Sequence, residues 1–107
     1  MKRLPVRWAR AASLDVTEIV EFVKQDRPEA AGNLGRALLA GAPRLSRNPR
    51  QGRVVPELFE KGISDYRELI ISSYRLIYAI RAHYIDIVVV LDSRRDLEAA
   101  LFQRLMR

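Results

Sequence analysis

Arginines mark the starts of two predicted strands and follow the end of a third in the C-terminal part of the chain. Arg67 opens one strand, Arg75 lies near the start of the next, and Arg94 and Arg95 follow the last. A guanidinium group presents a planar fork of donors that matches phosphate and carboxylate oxygens. Antiparallel order would bring these arginines toward a shared end of the sheet. The pattern indicates a surface for an acidic partner or, in a metal-free ribonuclease, a site for the scissile phosphate.

Other kinds of site find little support in the sequence. Phosphate cleavage needs a proton donor and acceptor, yet His83 is the only histidine and falls in a predicted turn. The serines share that one histidine and lack a glycine-elbow context, and no glycine loop could cradle a phosphate. The chain has no cysteine, and its aspartates lack ligand spacing. We therefore predict no metal and no cofactor.

Arg75 has two possible roles, which the sequence leaves open. It could hold a phosphate, or it could pair with a carboxylate such as Glu68 or Asp96 and simply hold strands together. We predict no catalytic residue. In the alternative ribonuclease interpretation, the phosphate would be held by Arg67, Arg75 and Arg94.

The first half of the chain is predicted to supply one strand and a helical hairpin. Alternating apolar residues over positions 4–8 predict a half-buried strand. Apolar residues at helical spacing predict a first helix that ends near residues 25–27. A second helix begins at Pro28 and runs to about residue 45, with Pro43 disturbing its last turn. The longest irregular stretch then covers residues 48–62.

The second half of the chain is predicted to form a β-meander and a short helix. Turns at Ser72-Ser73 and Ala82-His83 would connect three strands, and residues 85–91 should be central because, apart from Asp86, they are apolar on both faces. A helix follows over residues 97–106, with a capping box that begins at Ser93. The fold class is α+β, in the order β-α-α-β-β-β-α. We expect an antiparallel sheet with the helical hairpin on one face, and an open or half-covered opposite face.

Composition fits one small, basic domain over residues 1–107. The formal net charge is +6, and sixteen of the nineteen basic residues are arginine. No apolar stretch approaches the ~20 residues needed to cross a bilayer, and the N-terminus does not resemble a signal peptide. We expect a cytoplasmic protein, and the excess of arginine fits either a nucleic-acid contact or an acidic protein partner.

Seven stretches of the sequence, taken together, resemble those of a known superfamily. They are Val6-Arg7-Trp8, residues 12–22, Pro28-Glu29-Ala30-Ala31, Pro49-Arg50-Gln51-Gly52-Arg53, Tyr66-Arg67-Glu68-Leu69, Tyr74-Arg75-Leu76-Ile77-Tyr78 and Val90-Leu91-Asp92-Ser93-Arg94-Arg95-Asp96. In their order and spacing the chain resembles the ParE/RelE superfamily of small bacterial toxins, specifically the ParE-like branch, often labelled plasmid stabilisation proteins. Members of that branch commonly carry His-Gly where this chain has Asp92-Ser93.

The resemblance implies the toxin of a type II toxin–antitoxin module, neutralised by a cognate ParD-like antitoxin with an acidic C-terminal segment that wraps it. ParE-like members poison DNA gyrase, whereas RelE-like members cut mRNA on the ribosome. The predicted C-terminal helix offers Ala100, Leu101 and Phe102 where the ribonuclease branch has a tyrosine or histidine. We therefore predict a gyrase-inhibiting protein without catalysis of its own and without sequence-specific nucleic-acid binding. A ribosome-dependent mRNA endonuclease is the alternative, since Arg75 and Arg94 match basic positions of that branch.

Two working surfaces are expected from this resemblance. The surface for the target combines arginines with the C-terminal helix: Arg67, Arg75, Arg94, Arg95, Leu101, Phe102, Leu105 and Met106. The surface for the antitoxin lies on the helical hairpin and the open face of the sheet: Val16, Ile19, Val20, Leu34, Leu38, Tyr74 and Tyr78.

Overall fold

The computed structural model describes residues 3–105, with the side chain of Leu105 outside that description. The elements are β1 (Val6–Trp8), α1 (Arg10–Asp26), α2 (Pro28–Leu39), α3 (Gly41–Arg47), β2 (Arg53–Val54), α4 (Pro56–Phe59), β3 (Tyr66–Ile71), β4 (Tyr74–Ile80), β5 (Ile85–Asp92) and α5 (Leu97–Leu105). The α+β class and the predicted order of the larger elements are confirmed. The short elements β2 and α4 are additions within the stretch that was predicted to be irregular, and α3 is the separated end of the predicted second helix.

One mixed sheet runs through the molecule in the order β1-β5-β4-β3-β2. Both hairpins of the meander are antiparallel, and Ser72 turns the first of them with a left-handed φ of 57°. The first strand joins the edge of the meander as predicted, but it pairs with β5 in parallel. That pairing covers only residues 85–87, so β1 leaves the rest of the β5 edge without a strand neighbour.

The helices begin and end where proline and close packing require it. Arg27 is extended, with φ −140° and ψ 78°, because the residue before Pro28 is disfavoured in the helical region. The predicted second helix is divided at Ala40 into α2 and α3. At the start of α3 the backbone lies against the sheet, since a Cβ on Gly41 would come within 3.0 Å of Leu76 Cδ1.

Each face of the sheet has its own core. The helical hairpin packs on the face that carries Leu76 and Tyr78. On the opposite face, α4 and α5 pack on Ile77, with Leu58 and Leu101 among the buried contacts. The face predicted to be open or half covered therefore bears two helices where this second core forms.

The N-terminus of α5 is capped by a different residue from the one predicted. The Asp96 carboxylate accepts the N–H of Ala99 at 3.2 Å, so Asp96 takes the capping role in place of Ser93. None of the helices within residues 3–105 has the length and apolar character needed to cross a membrane.

Candidate functional site

The arginines selected from the sequence do not share one end of the sheet. Arg75 pairs with Ile70 beside the first hairpin turn, whereas Arg67 pairs with Tyr78 at the far end of the same two strands. Arg94 follows β5, whose last residue Asp92 pairs with Tyr74 near that turn. Arg75 and Arg94 therefore lie toward one end and Arg67 toward the other, so the expected convergence of all three is wrong.

The guanidinium group of Arg75 is hydrogen-bonded to two carboxylates of the protein itself. Its side chain is 7% exposed; Nε donates to Glu68 at 2.6 Å, while Nη1 and Nη2 donate to Glu57 at 2.7 and 2.9 Å. The second oxygen of the fully buried Glu68 carboxylate accepts from Arg53 Nε at 2.6 Å. The bond from Arg75 lowers the pKa of Glu57, and its bond to Glu57 raises the pKa of Arg75. The pairing with Glu68, one of the two roles left open, is the one found.

Arg94 and Arg95 lie on the surface just before α5. The Arg94 guanidinium donates to the Asp92 carboxylate at 3.1 and 2.8 Å, and the backbone N–H of Arg94 donates to the same group at 2.9 Å. The side-chain bonds from Arg94 are the main reason that the pKa of Asp92 falls to about 2. Arg95 is exposed and lines a groove beside Asp92.

The predicted target-binding residues of α5 divide into an anchor and an exposed side chain. Leu101 is 1% exposed and belongs to the second core, so it seats the helix and its assignment to a binding surface is corrected. Phe102 is 66% exposed. The predicted contacts of the Leu105 side chain and of Met106 lie outside the described residues.

Most of the predicted antitoxin-binding residues hold the fold together. Val16, Leu38 and Tyr78 are buried in the core, which corrects their assignment to a binding surface. An apolar stripe on a helical hairpin first serves to close the core beneath it. Val20 and Leu34 are partly buried against the same core.

The remaining two predicted residues, Ile19 and Tyr74, line an open groove of about 410 Å³ between α1 and the end of β5. The rest of its lining comes from Asp15, Glu18, Phe22, Val90, Leu91, Asp92 and Arg95. Phe22 is 72% exposed and supplies an aromatic ring to the groove; Phe59 and Phe102 are exposed to a similar degree elsewhere. We call this the α1 groove.

Comparison with known proteins identifies the family. The family described as "ParE toxin of type II toxin-antitoxin system, parDE" matches residues 6–97. The chain belongs to the ParE toxin family. It is a ParE-type toxin of a ParDE toxin–antitoxin system, and such a system implies an antitoxin partner.

A solved structure supports the fold of this ParE-family chain. The structure titled "Chromosomal ParDE TA system from P. aeruginosa" is similar with a TM-score of 0.69 and 17% sequence identity, over 84% of this chain and 96% of that chain. At this level of identity the likeness shows the fold alone. No curated protein matches the sequence.

An ion pair of this ParE-family toxin that the sequence analysis missed protects the edge of β5. Asp15 on α1 accepts the N–H of Val90 at 3.0 Å, and Arg104 on α5 donates to the carbonyl oxygen of Val88 at 2.9 Å. The Arg104 guanidinium also donates to Asp15 through two bonds of 3.0 Å. The pair thus provides hydrogen-bond partners for backbone groups of β5 that β1 does not pair with, and it links α1 to α5. A partner 89 positions away has no local sequence signal.

Proposed function

We propose that this ParE-family toxin inhibits DNA gyrase through protein contacts and is neutralised by a ParD-like antitoxin with an acidic C-terminal segment. One observation carries the choice of gyrase over mRNA. The three arginines that would hold a scissile phosphate are apart, since Arg75 is paired with Glu57 and Glu68, and Arg67 lies at the other end of the sheet from Arg94. Arg67 Nη1 instead donates to the carbonyl oxygens of residues 50 and 52.

The proposed target surface centres on α5. Phe102 offers an exposed aromatic ring, the kind of anchor that dominates protein interfaces. Leu97 and Leu101 are buried beneath it and fix the helix on the sheet. Exposed Arg94 and Arg95 on the preceding turn add charge at the rim.

The proposed antitoxin surface is the α1 groove. Phe22, Ile19 and Tyr74 supply apolar area, and Arg95 supplies a cation at its edge. Asp15, Glu18 and Asp92 also line the groove, so the match lies between its apolar residues and those of the antitoxin segment. The acidic residues of that segment would be attracted by Arg95 at the edge and by the net charge of +6 of the whole chain.

Two single substitutions test whether the surfaces are separate. Phe102→Ser and Phe22→Ser remove the same ring from similarly exposed positions, so each variant is the matched control for the other. We expect Phe102→Ser to weaken inhibition of gyrase supercoiling by about tenfold or more and to leave antitoxin affinity within about twofold. Phe22→Ser should do the reverse. Truncation after Ala100 is a poorer test, because it also removes buried Leu101 from the core.

Cell-free translation distinguishes the two candidate activities. We expect the mRNA to remain intact in this assay and gyrase supercoiling to be blocked in a parallel assay. Cleaved mRNA with normal supercoiling would replace the proposal by the ribonuclease alternative. Normal growth of bacteria that express the chain alone would contradict toxicity and leave only a module that binds the antitoxin.

A further inference from the structure

The positive charge of this chain is concentrated in one segment. Between Glu29 and Glu57 there is no acidic residue, and this interval contains five arginines: Arg36, Arg44, Arg47, Arg50 and Arg53. The last four recur every third residue along α3, the turn that follows it and the first residue of β2. We call residues 44–53 the arginine loop.

The backbone of the arginine loop is held rigidly by the core. The buried Tyr78 hydroxyl accepts the N–H of Gly52 at 3.0 Å and donates to the carbonyl oxygen of Pro49 at 2.7 Å. Arg67 Nη1 donates to the carbonyl oxygen of Gly52 at 2.7 Å. A Cβ on Gly52 would lie 2.6 Å from both the Glu68 carbonyl oxygen and the Tyr78 hydroxyl, so only glycine fits this approach. The loop is therefore a fixed platform.

Three of the four arginines of the arginine loop have no carboxylate partner among residues 3–105. Arg44, Arg47 and Arg50 are exposed, and within residues 3–105 none of them forms an ion pair. Arg44 donates only to a neutral oxygen of Gln51, at 3.2 Å. Arg53 does pair with Glu68, yet its own side chain remains 62% exposed.

The chemistry of this surface favours a nucleic acid over a protein. The centre of a protein interface typically combines arginine with aromatic residues, whereas the exposed residues of the arginine loop are arginine, asparagine and glutamine without an aromatic. Nucleic-acid interfaces are much more positively charged, and arginine pairs with phosphate oxygens through two parallel bonds. Contacts to phosphate alone do not read sequence.

We propose that the arginine loop binds the phosphate backbone of duplex DNA without reading its sequence. This goes beyond gyrase inhibition and holds whether or not gyrase is the target. It agrees with the expectation that the chain makes no sequence-specific nucleic-acid contact. If all four arginines of the loop contact phosphates, affinity should fall about 150-fold between about 50 and 200 mM salt.

The test measures binding of a short, fluorescein-labelled DNA duplex to the whole chain by anisotropy across that salt range. The variant R47Q/R50Q removes two unpaired, exposed arginines of the loop. The control R10Q/R27Q makes the same change in net charge at two exposed arginines, one at each end of α1. We expect R47Q/R50Q to lose only about tenfold over the same salt range, because two phosphate contacts remain. The control should stay close to the unmodified chain.

Several results would overturn the proposal. Equal losses in the two double variants would show a general charge effect without a site. Affinity of the unmodified chain that does not change with salt would exclude phosphate contacts. Binding of polyglutamate that depends on Arg47 and Arg50, without binding of the duplex, would assign the loop to an acidic protein. Far-UV circular dichroism of each variant checks that the fold is retained.

Discussion

Replacing Arg75 by methionine tests whether this arginine is structural. Methionine keeps much of the length of the side chain but removes every donor to Glu57 and Glu68. The Glu68 carboxylate would remain fully buried, with Arg53 as its remaining partner. Breaking a buried ion pair costs about 3–5 kcal/mol, and the retained bond to Arg53 places the expected loss of unfolding free energy near 3 kcal/mol. Glu57 adds little, because its side chain is 34% exposed and can turn to water.

Urea denaturation gives the free energy of unfolding, and a thermal melt should show Tm lowered by about 10–20 °C. A double variant shows whether the loss of stability comes from the unpaired Glu68 carboxylate. In Arg75→Met/Glu68→Met both inner charges are gone, and an apolar pair of similar volume is often as stable as the ion pair that it replaces. We therefore expect the double variant to be more stable than Arg75→Met alone.

Two results would refute this reasoning about Arg75. If the double variant is less stable than Arg75→Met, the uncompensated Glu68 carboxylate is not the source of the loss. If Arg75→Met folds with unchanged stability but no longer inhibits supercoiling, Arg75 belongs to the target surface and the structural interpretation fails.

Three further predictions concern Tyr78 and Gly52, which support the arginine loop, and Gly62, which lies outside it. Burial raises the pKa of Tyr78 above its ordinary value of 10.0, so the folded state keeps a proton that the unfolded chain releases; above pH 10 the unmodified chain should therefore lose stability, measured by urea denaturation, that Tyr78→Phe does not lose. Gly52→Ala should cost more than about 2 kcal/mol through its 2.6 Å contacts. Gly62→Ala, with nothing within 4 Å but φ of 81°, should cost about 1 kcal/mol by the same measurement.

Elements with a clear period could be predicted from sequence, and contacts between distant elements could not. The alternation before Trp8, the break at Pro28 and the turn at Ser72 are local signals, and each is found where expected. Arg75 and Glu68 lie on paired strands, so their contact could be anticipated. Glu57 could not be placed, because it reaches Arg75 only through the single-turn helix α4, which has no periodic pattern of its own.

Several residues assigned to the binding surfaces are buried, and the reason is physical. Val16 and Leu38 belong to regular apolar stripes, and the residues of such stripes are buried in the core. Phe22 is the more useful sequence signal for an exposed contact residue. It follows the polar Glu21 and is not one of the apolar residues that close the hairpin. The relation of Arg67 to Arg75 was missed for another reason. Residues at the start of one strand and the start of the next lie at opposite ends of a hairpin, so strand starts alone do not converge.

The distribution of charge links the core to the proposed DNA contact. Arg75 engages Glu57 and one oxygen of Glu68, and Arg53 engages the other oxygen of Glu68, so these carboxylates are not available to Arg44, Arg47 and Arg50. The segment between Glu29 and Glu57 carries five positive charges and no negative charge, whereas the net charge of the whole chain is +6. A field of this kind orients a small protein on an anionic polymer before close contact forms. Phe22 and Phe102 lie outside the arginine loop, so substitutions at these positions and in the loop test the proposed antitoxin, target and DNA contacts separately.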